Sequence, residues 1–133
     1  MNIDFQELMN NAKEAAKNSY SPFSRFAVGA AVITPSGKIY RGCNVENSSF
    51  GLTNCAERTA FFKAVYDGQR KFSAIAICGG ENGNIKGICP PCGPCRQVMR
   101  EFCKDDFLIY MIDVDNKFEV HTLDEILPYS FSL

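Results

Sequence analysis

The sequence predicts an α/β fold, a three-layer α/β/α sandwich around a mixed five-stranded sheet, and three observations carry that reading. An amphipathic helical segment is followed by two strand-like runs separated only by the turn Pro35-Ser36-Gly37. Thereafter strand-like runs alternate with helical ones, the pattern that covers both faces of a sheet with helices. The last two strand-like runs are joined by Asp113 to Asn116, too short for a crossover, so they pair antiparallel and make the sheet mixed. A chain of 133 residues can bury one core and not two, so residues 1–133 are read as a single domain.

The elements follow in chain order. Residues 4–18 carry Phe5, Leu8, Met9, Ala12, Ala15 and Ala16 on one side at helical spacing, and the helix ends before the turn-rich Ser19-Tyr20-Ser21-Pro22. Phe26 to Thr34 reads as a buried strand, and Lys38 to Cys43 returns antiparallel to it. Gly29, inside the first strand, is expected where a neighbouring element packs closely. Asn44 to Asn54 is polar and without periodicity, hence a loop. It opens onto a helix from about Asn54 to Tyr66, with Thr53 or Asn54 as the expected cap and Asp67-Gly68 as the stop. Phe72 to Cys78 is the third strand, followed by an expected loop over Gly79 to Asn84. A helix over Gly93 to Phe102, strands over Phe107 to Ile112 and Lys117 to His121, and a short helix opened by the capping box Thr122-x-x-Glu125 complete the chain.

Composition removes several functions. The net charge of -1 and the single basic pair Arg70-Lys71 argue against a nucleic acid as partner, because such proteins carry a basic face. No apolar run approaches the roughly 18 to 20 residues a membrane span needs. The start, Met1-Asn2-Ile3-Asp4, lacks the basic region and apolar run of a secretory signal, so a cytoplasmic location is expected. Seven cysteines are an odd number, and Cys55, Cys89, Cys92 and Cys95 cluster around two short motifs. In a reducing compartment such clustering favours metal or redox chemistry over a disulfide framework.

The two motifs are Cys55-Ala56-Glu57 and Pro91-Cys92-Gly93-Pro94-Cys95. Each stands where a helical pattern begins, and a helix N-terminus favours the thiolate that a metal ligand must be. In open α/β sheets, sites lie at the C-terminal ends of parallel strands, where such helices start. Three thiolates from two loops hold one Zn²⁺ tetrahedrally and leave its fourth position for water, with Glu57 two residues from a ligand. Cys89, spaced evenly with Cys92 and Cys95, leaves open a closed four-thiolate structural site, disfavoured by the stiff Pro90-Pro91 between them.

Cys-x-Glu followed by Pro-Cys-x-x-Cys is a known signature of zinc-dependent nucleobase deaminases. The further stretches Phe26-Ala27-Val28-Gly29-Ala30-Ala31, Gly42-Cys43-Asn44-Val45-Glu46-Asn47, Cys55-Ala56-Glu57-Arg58-Thr59-Ala60, Pro91-Cys92-Gly93-Pro94-Cys95-Arg96-Gln97-Val98 and Leu127-Pro128 extend the match in order over nearly the whole chain. The sequence resembles the small, homotetrameric, zinc-dependent class of cytidine deaminases. The resemblance implies a single cytidine deaminase-like catalytic domain that hydrolyses cytidine and 2′-deoxycytidine to the uridines with release of ammonia, in pyrimidine salvage. It implies one Zn²⁺ per chain on Cys55, Cys92 and Cys95, with Glu57 as the catalytic base and acid that moves a proton from water to ring N3. Arg58 is similar to the family arginine that donates to the ligand sulfurs. Asn44 and Glu46 match the ribose-binding pair, Phe26 the aromatic that packs on the nucleoside, and Ala56 a backbone N–H donor to the base. Phe131 resembles a tail aromatic that reaches the base in a neighbouring subunit, which implies a homotetramer with shared active sites. Pro90 and Phe50 depart from the family's frequent Ser and Tyr, which touches fine hydrogen bonding and neither the metal nor Glu57.

Other readings stay open from the residues alone. The same zinc site serves a deaminase of another cytosine nucleoside, such as blasticidin S. Cys92-Gly93-Pro94-Cys95 also reads as a dithiol redox motif, although the chain has no Trp before it. A non-catalytic zinc module is a third class. His121, the only histidine, is expected on a strand away from the metal, and Cys43, Cys78 and Cys103 in the core.

Overall fold

The computed structural model describes residues 3–133. Met1 and Asn2, read above for the lack of a secretory signal, lie outside the described residues. Among the described residues, no helix is long and apolar enough to cross a membrane.

Helix α1 (Phe5–Ala16) is capped by Asp4, whose carboxylate accepts from the Glu7 N–H at 3.1 Å. It buries Leu8, Met9, Ala12 and Ala15, four of the six residues expected on its apolar side. Phe5 remains partly exposed and stacks on Tyr110 instead, with ring centroids 5.6 Å apart. Strands β1 (Phe26–Ile33) and β2 (Ile39–Cys43) form the expected hairpin. Helix α2 (Ala56–Tyr66), strand β3 (Ala74–Glu81), helix α3 (Gly93–Phe102), strand β4 (Leu108–Ile112), strand β5 (Phe118–Thr122) and helix α4 (Leu123–Ile126) follow. The capping box at Thr122 and Glu125 is present.

The sheet order is β2-β1-β3-β4-β5. β1 is antiparallel to both β2 and β3, so those two strands run the same way, and β4 runs parallel to β3. β5 returns antiparallel to β4, as the short connection requires. One sheet face packs Ala31, Ile33, Ala74, Ala76 and Cys78 under α1. The other packs Ala30, Val32, Ile75, Ile77, Ile109 and Met111 against Phe61 of α2, Met99 of α3 and Leu123. These are the three layers. Fully burying a side chain such as Phe61 or Met99 contributes about 1.5–3 kcal/mol, so each helix is held by its own apolar stripe.

Two glycines set the helix-to-sheet distance. A Cβ on Gly29 would meet the Ala12 carbonyl oxygen at 2.0 Å, which is the close packing expected there. A Cβ on Gly42 would meet the Ala56 carbonyl oxygen at 2.3 Å and the Ala60 nitrogen at 2.4 Å, so the first turn of α2 rests on bare backbone.

Three expectations need correction. β3 does not stop at Cys78: Gly79, Gly80 and Glu81 pair with Val28, Ala27 and Phe26, because the head of β1 offers them a partner. The turn is left to Asn82 and Gly83, both at positive φ. The N-cap of α2 is Cys55, not Thr53 or Asn54. Asn54 is committed to two backbone bonds with Val45 at 2.9 Å, and the Thr53 hydroxyl accepts from the Asn47 N–H. Cys43 is half-buried with its thiol on the Asn18 carbonyl, whereas Cys78 and Cys103 are buried as expected.

Candidate active site

α2 follows the C-terminal end of β2, and α3 follows that of β3. Since these strands run the same way on either side of β1, both helices begin at one edge of the sheet. Cys55 and Cys92 are the N-caps of the two helices, and neither side chain caps its own backbone. Pro94 in the first turn of α3 has no N–H to leave unpaired. The sulfurs are thereby left for one another: Cys55, Cys92 and Cys95 Sγ all lie within 4.8 Å of each other. Cys55 and Cys92 are 3.8 Å apart, and Cys92 and Cys95 3.3 Å. A tetrahedral zinc with Zn–S of about 2.3 Å needs sulfur edges of about 3.8 Å, so the donor set fits zinc with little adjustment.

The electrostatics fit as well. The Cys95 thiol, as hydrogen-bond donor, and the Arg58 guanidinium pull the Cys55 thiol down to about 5 against the opposing effect of burial. Arg58 Nη2 donates to Cys55 Sγ at 3.2 Å, while Arg58 Nε is buried without a partner. Three thiolates exceed the charge of Zn²⁺ by one, and a guanidinium on the sulfur offsets that excess. Glu57, 5% exposed, sits on the first turn of α2 two residues after Cys55. Burial pushes its carboxyl up to about 7, where a group both accepts and gives up protons near neutral pH.

Cys89 is not in the three-sulfur group; its thiol is packed against the apolar core beneath α2 and α3, and burial pushes it up to about 12. That removes the four-thiolate site. His121 lies on β5 between Glu119, 2.8 Å from Nε2, and Glu125, 3.2 Å from Nδ1, as a strand residue. The convergence of Cys55 and Glu57 on Cys92 and Cys95 is metal geometry rather than that of an isolated dithiol.

The nucleoside-binding candidates have unlike surroundings. Asn44 is buried and cross-ties the head of β1: its Oδ1 accepts from the Val28 N–H at 2.9 Å and from the Ser19 hydroxyl, and its Nδ2 donates to the Phe26 carbonyl at 2.8 Å. Glu46 accepts from the N–H groups of Phe23 at 2.9 Å and Ser24 at 3.1 Å and from the Ser24 hydroxyl, which hold its carboxyl below the usual range. Phe26 is exposed at the head of β1, and Ala56 is fully buried as the first residue of α2. Phe131 is exposed in the C-terminal segment. Sequence reasoning gave no role to Ser24, whose hydroxyl donates to the Glu46 carboxylate, or to Arg96 and Gln97, whose partners are backbone carbonyls set by the fold. Arg96 bonds the Pro91 and Ile126 carbonyls, and Gln97 bonds that of Phe131. Spacing carries no signal for such contacts.

Comparison with known proteins agrees with the geometry. Residues 3–111 match the family model described as the cytidine and deoxycytidylate deaminase zinc-binding region. The chain is 45% identical over 130 residues to a cytidine deaminase of Sporosarcina psychrophila, covering 98% of this chain and 93% of that protein. It is equally 45% identical over 130 residues to the cytidine deaminase of Halalkalibacterium halodurans, covering 98% and 96%. The crystal structure of cytidine deaminase from Burkholderia pseudomallei superposes with a TM-score of 0.89 at 42% identity, over 97% of this chain and 100% of that one.

Proposed function

The chain belongs to the cytidine and deoxycytidylate deaminase family, and from that premise we propose that it hydrolyses cytidine and 2′-deoxycytidine to uridine and 2′-deoxyuridine, releasing ammonia. The observation that carries this reading is a buried carboxyl, Glu57, raised to about 7 beside three converging thiols at two helix N-termini. Cys55, Cys92 and Cys95 hold one zinc ion. Bound there, zinc supplies the Lewis acidity that makes water a usable nucleophile near neutral pH.

The chain's own groups do the rest. Glu57 accepts the proton released as water adds to C4 of the cytosine ring and delivers it to N3. It then takes a second proton from the C4 hydroxyl and passes it to the amino group, so that the C4–N bond breaks and ammonia departs as C4 becomes a carbonyl. Arg58 holds the Cys55 sulfur and balances its charge. The Ala56 N–H, at the uncapped start of α2, is a donor for the base. Glu46, kept ionised by the Phe23–Ser24 turn, is an acceptor for a sugar hydroxyl, and Asn44 fixes the loop that presents it. A carboxylate placed for a sugar hydroxyl favours an ordinary nucleoside over blasticidin S. Phe26 packs on the nucleoside, and Phe131 reaches the base bound by a neighbouring subunit in a homotetramer. Hydrolysis of free nucleosides serves pyrimidine salvage in the cytoplasm.

The test is ammonia release from cytidine by zinc-replete protein, with Glu57→Ala beside it. The variant is expected to keep one zinc per chain and to lose at least about a thousandfold in turnover. Zinc lost together with activity would contradict the role of Glu57, and a folded, zinc-loaded parent that releases no ammonia would contradict the reaction.

A further inference from the structure

The two residues that follow the ligand Cys95 both grip the C-terminal segment of the chain. Arg96 Nε donates to the Pro91 carbonyl at 2.8 Å, and its Nη1 donates to the Ile126 carbonyl at 2.7 Å. One planar guanidinium therefore joins the residue before Cys92 to the last residue of α4. Five residues further along the tail, Gln97 Nε2 donates to the Phe131 carbonyl at 3.1 Å. Between these two grips, residues 127–131 form no helix or strand, and Tyr129 sits at φ 53. A non-glycine residue holds that conformation only where its surroundings over-determine it. Leu127 packs on the core, but the rings of Tyr129 and Phe131 are exposed, so side-chain burial does not fix the segment beyond Leu127. The backbone grips do.

We propose that Arg96 and Gln97 are positioning residues that clamp the tail, residues 127–131, to the metal-bearing end of α3. One piece of structure then sets both the sulfur geometry and the placement of the Phe131 ring. The proposal rests on the reading of Phe131 as a nucleoside-binding residue. It gives Arg96 a task that lysine cannot perform, because only a rigid fork donates in two fixed directions at once. Gln97 contributes a neutral donor, and a carboxylate at that position presents only acceptors to a carbonyl.

The experiment combines Gln97→Glu, Arg96→Lys and Phe131→Ala in the zinc-loaded protein, reading KM and kcat on cytidine, zinc per chain, and amide hydrogen exchange over residues 129–133. Gln97→Glu is expected to raise KM about three- to tenfold, the scale of one hydrogen bond, with kcat and zinc content held and tail exchange faster. Introduced into Phe131→Ala, it adds nothing further to KM, because both changes act through the same ring. Arg96→Lys is expected to speed tail exchange with one zinc retained. If Phe131→Ala alone leaves KM unchanged, the reading of Phe131 falls and the clamp's purpose falls with it. If Phe131→Ala raises KM but Gln97→Glu is silent or multiplies its effect in full, the clamp alone is overturned. Parent-like tail exchange in Arg96→Lys overturns the arginine half.

Discussion

Glu57 sits almost wholly out of water on the first turn of α2, and that burial lifts its carboxyl from 4.5 to about 7. The zinc-free folded chain therefore binds a proton that the unfolded chain has already released, so the group's contribution to stability falls as pH rises from about 4.5 through 7. A neutral isostere escapes that loss. Glu57→Gln is expected to stabilise the zinc-free protein by about 3 kcal/mol at pH 8 and by little at pH 4, while abolishing turnover. Urea unfolding with a chelator present checks this, and equal stabilities at pH 8 would contradict burial as the cause. Residues of this kind were legible in the sequence because ligand spacing and a neighbouring carboxyl are local patterns. Asn44 and Glu46 were legible only as types: that Glu46 is seated by Phe23 and Ser24, and that Asn44 ties β1 to its loop, depends on a fold that joins positions some 20 residues apart.

At the scale of elements, the periodicities at α1, β1, β2 and α3 appear in the structure, and the differences arise at ends, where partners decide. β3 continues through Gly79-Gly80-Glu81 because β1 is there to pair with it, and the cap of α2 falls at Cys55, one residue past Asn54, because Asn54 bonds Val45. Gly42 shows how an element end becomes a functional dimension. It seats the first turn of α2, which carries Ala56 and Glu57 just after Cys55, so Gly42→Ala must lift that turn from the sheet. The expected cost is about 1–3 kcal/mol from overpacking, together with weaker zinc retention as Cys55 moves from Cys92 and Cys95. Gly29→Ala strains α1 against the opposite sheet face at similar cost, but leaves both metal loops in place. Denaturant unfolding with zinc analysis separates the two: both variants lose stability and only Gly42→Ala loses metal. Equal metal loss in Gly29→Ala would mean that the site senses general loosening rather than the seat of α2.

At the scale of the whole molecule, several aromatic rings lie on the surface. Phe23 and Phe50 meet edge-on at 5.9 Å and are both exposed, and Tyr66, Tyr129 and Phe131 present further aromatic surface. Aromatic side chains left in water at this density are characteristic of surfaces that meet a partner. Sequence patterning could not separate them from core residues, since an aromatic in a turn, at a helix end or in a tail reads the same in either place. If copies of the chain cover one another there and Phe131 of one subunit serves the base held by the next, each site is divided between two chains. Two variants then fail for different reasons: Glu57→Ala lacks the proton carrier, and Phe131→Ala lacks the ring it should lend. A mixed assembly contains sites in which an intact Glu57 faces an intact Phe131 from its neighbour. Subunits unfolded together and refolded as a mixture are therefore expected to release ammonia faster, at cytidine concentrations below the parent KM, than the sum of the two variants refolded apart. A purely additive rate would place Phe131 in its own chain's site, and sedimentation of the same samples shows whether mixed assemblies formed.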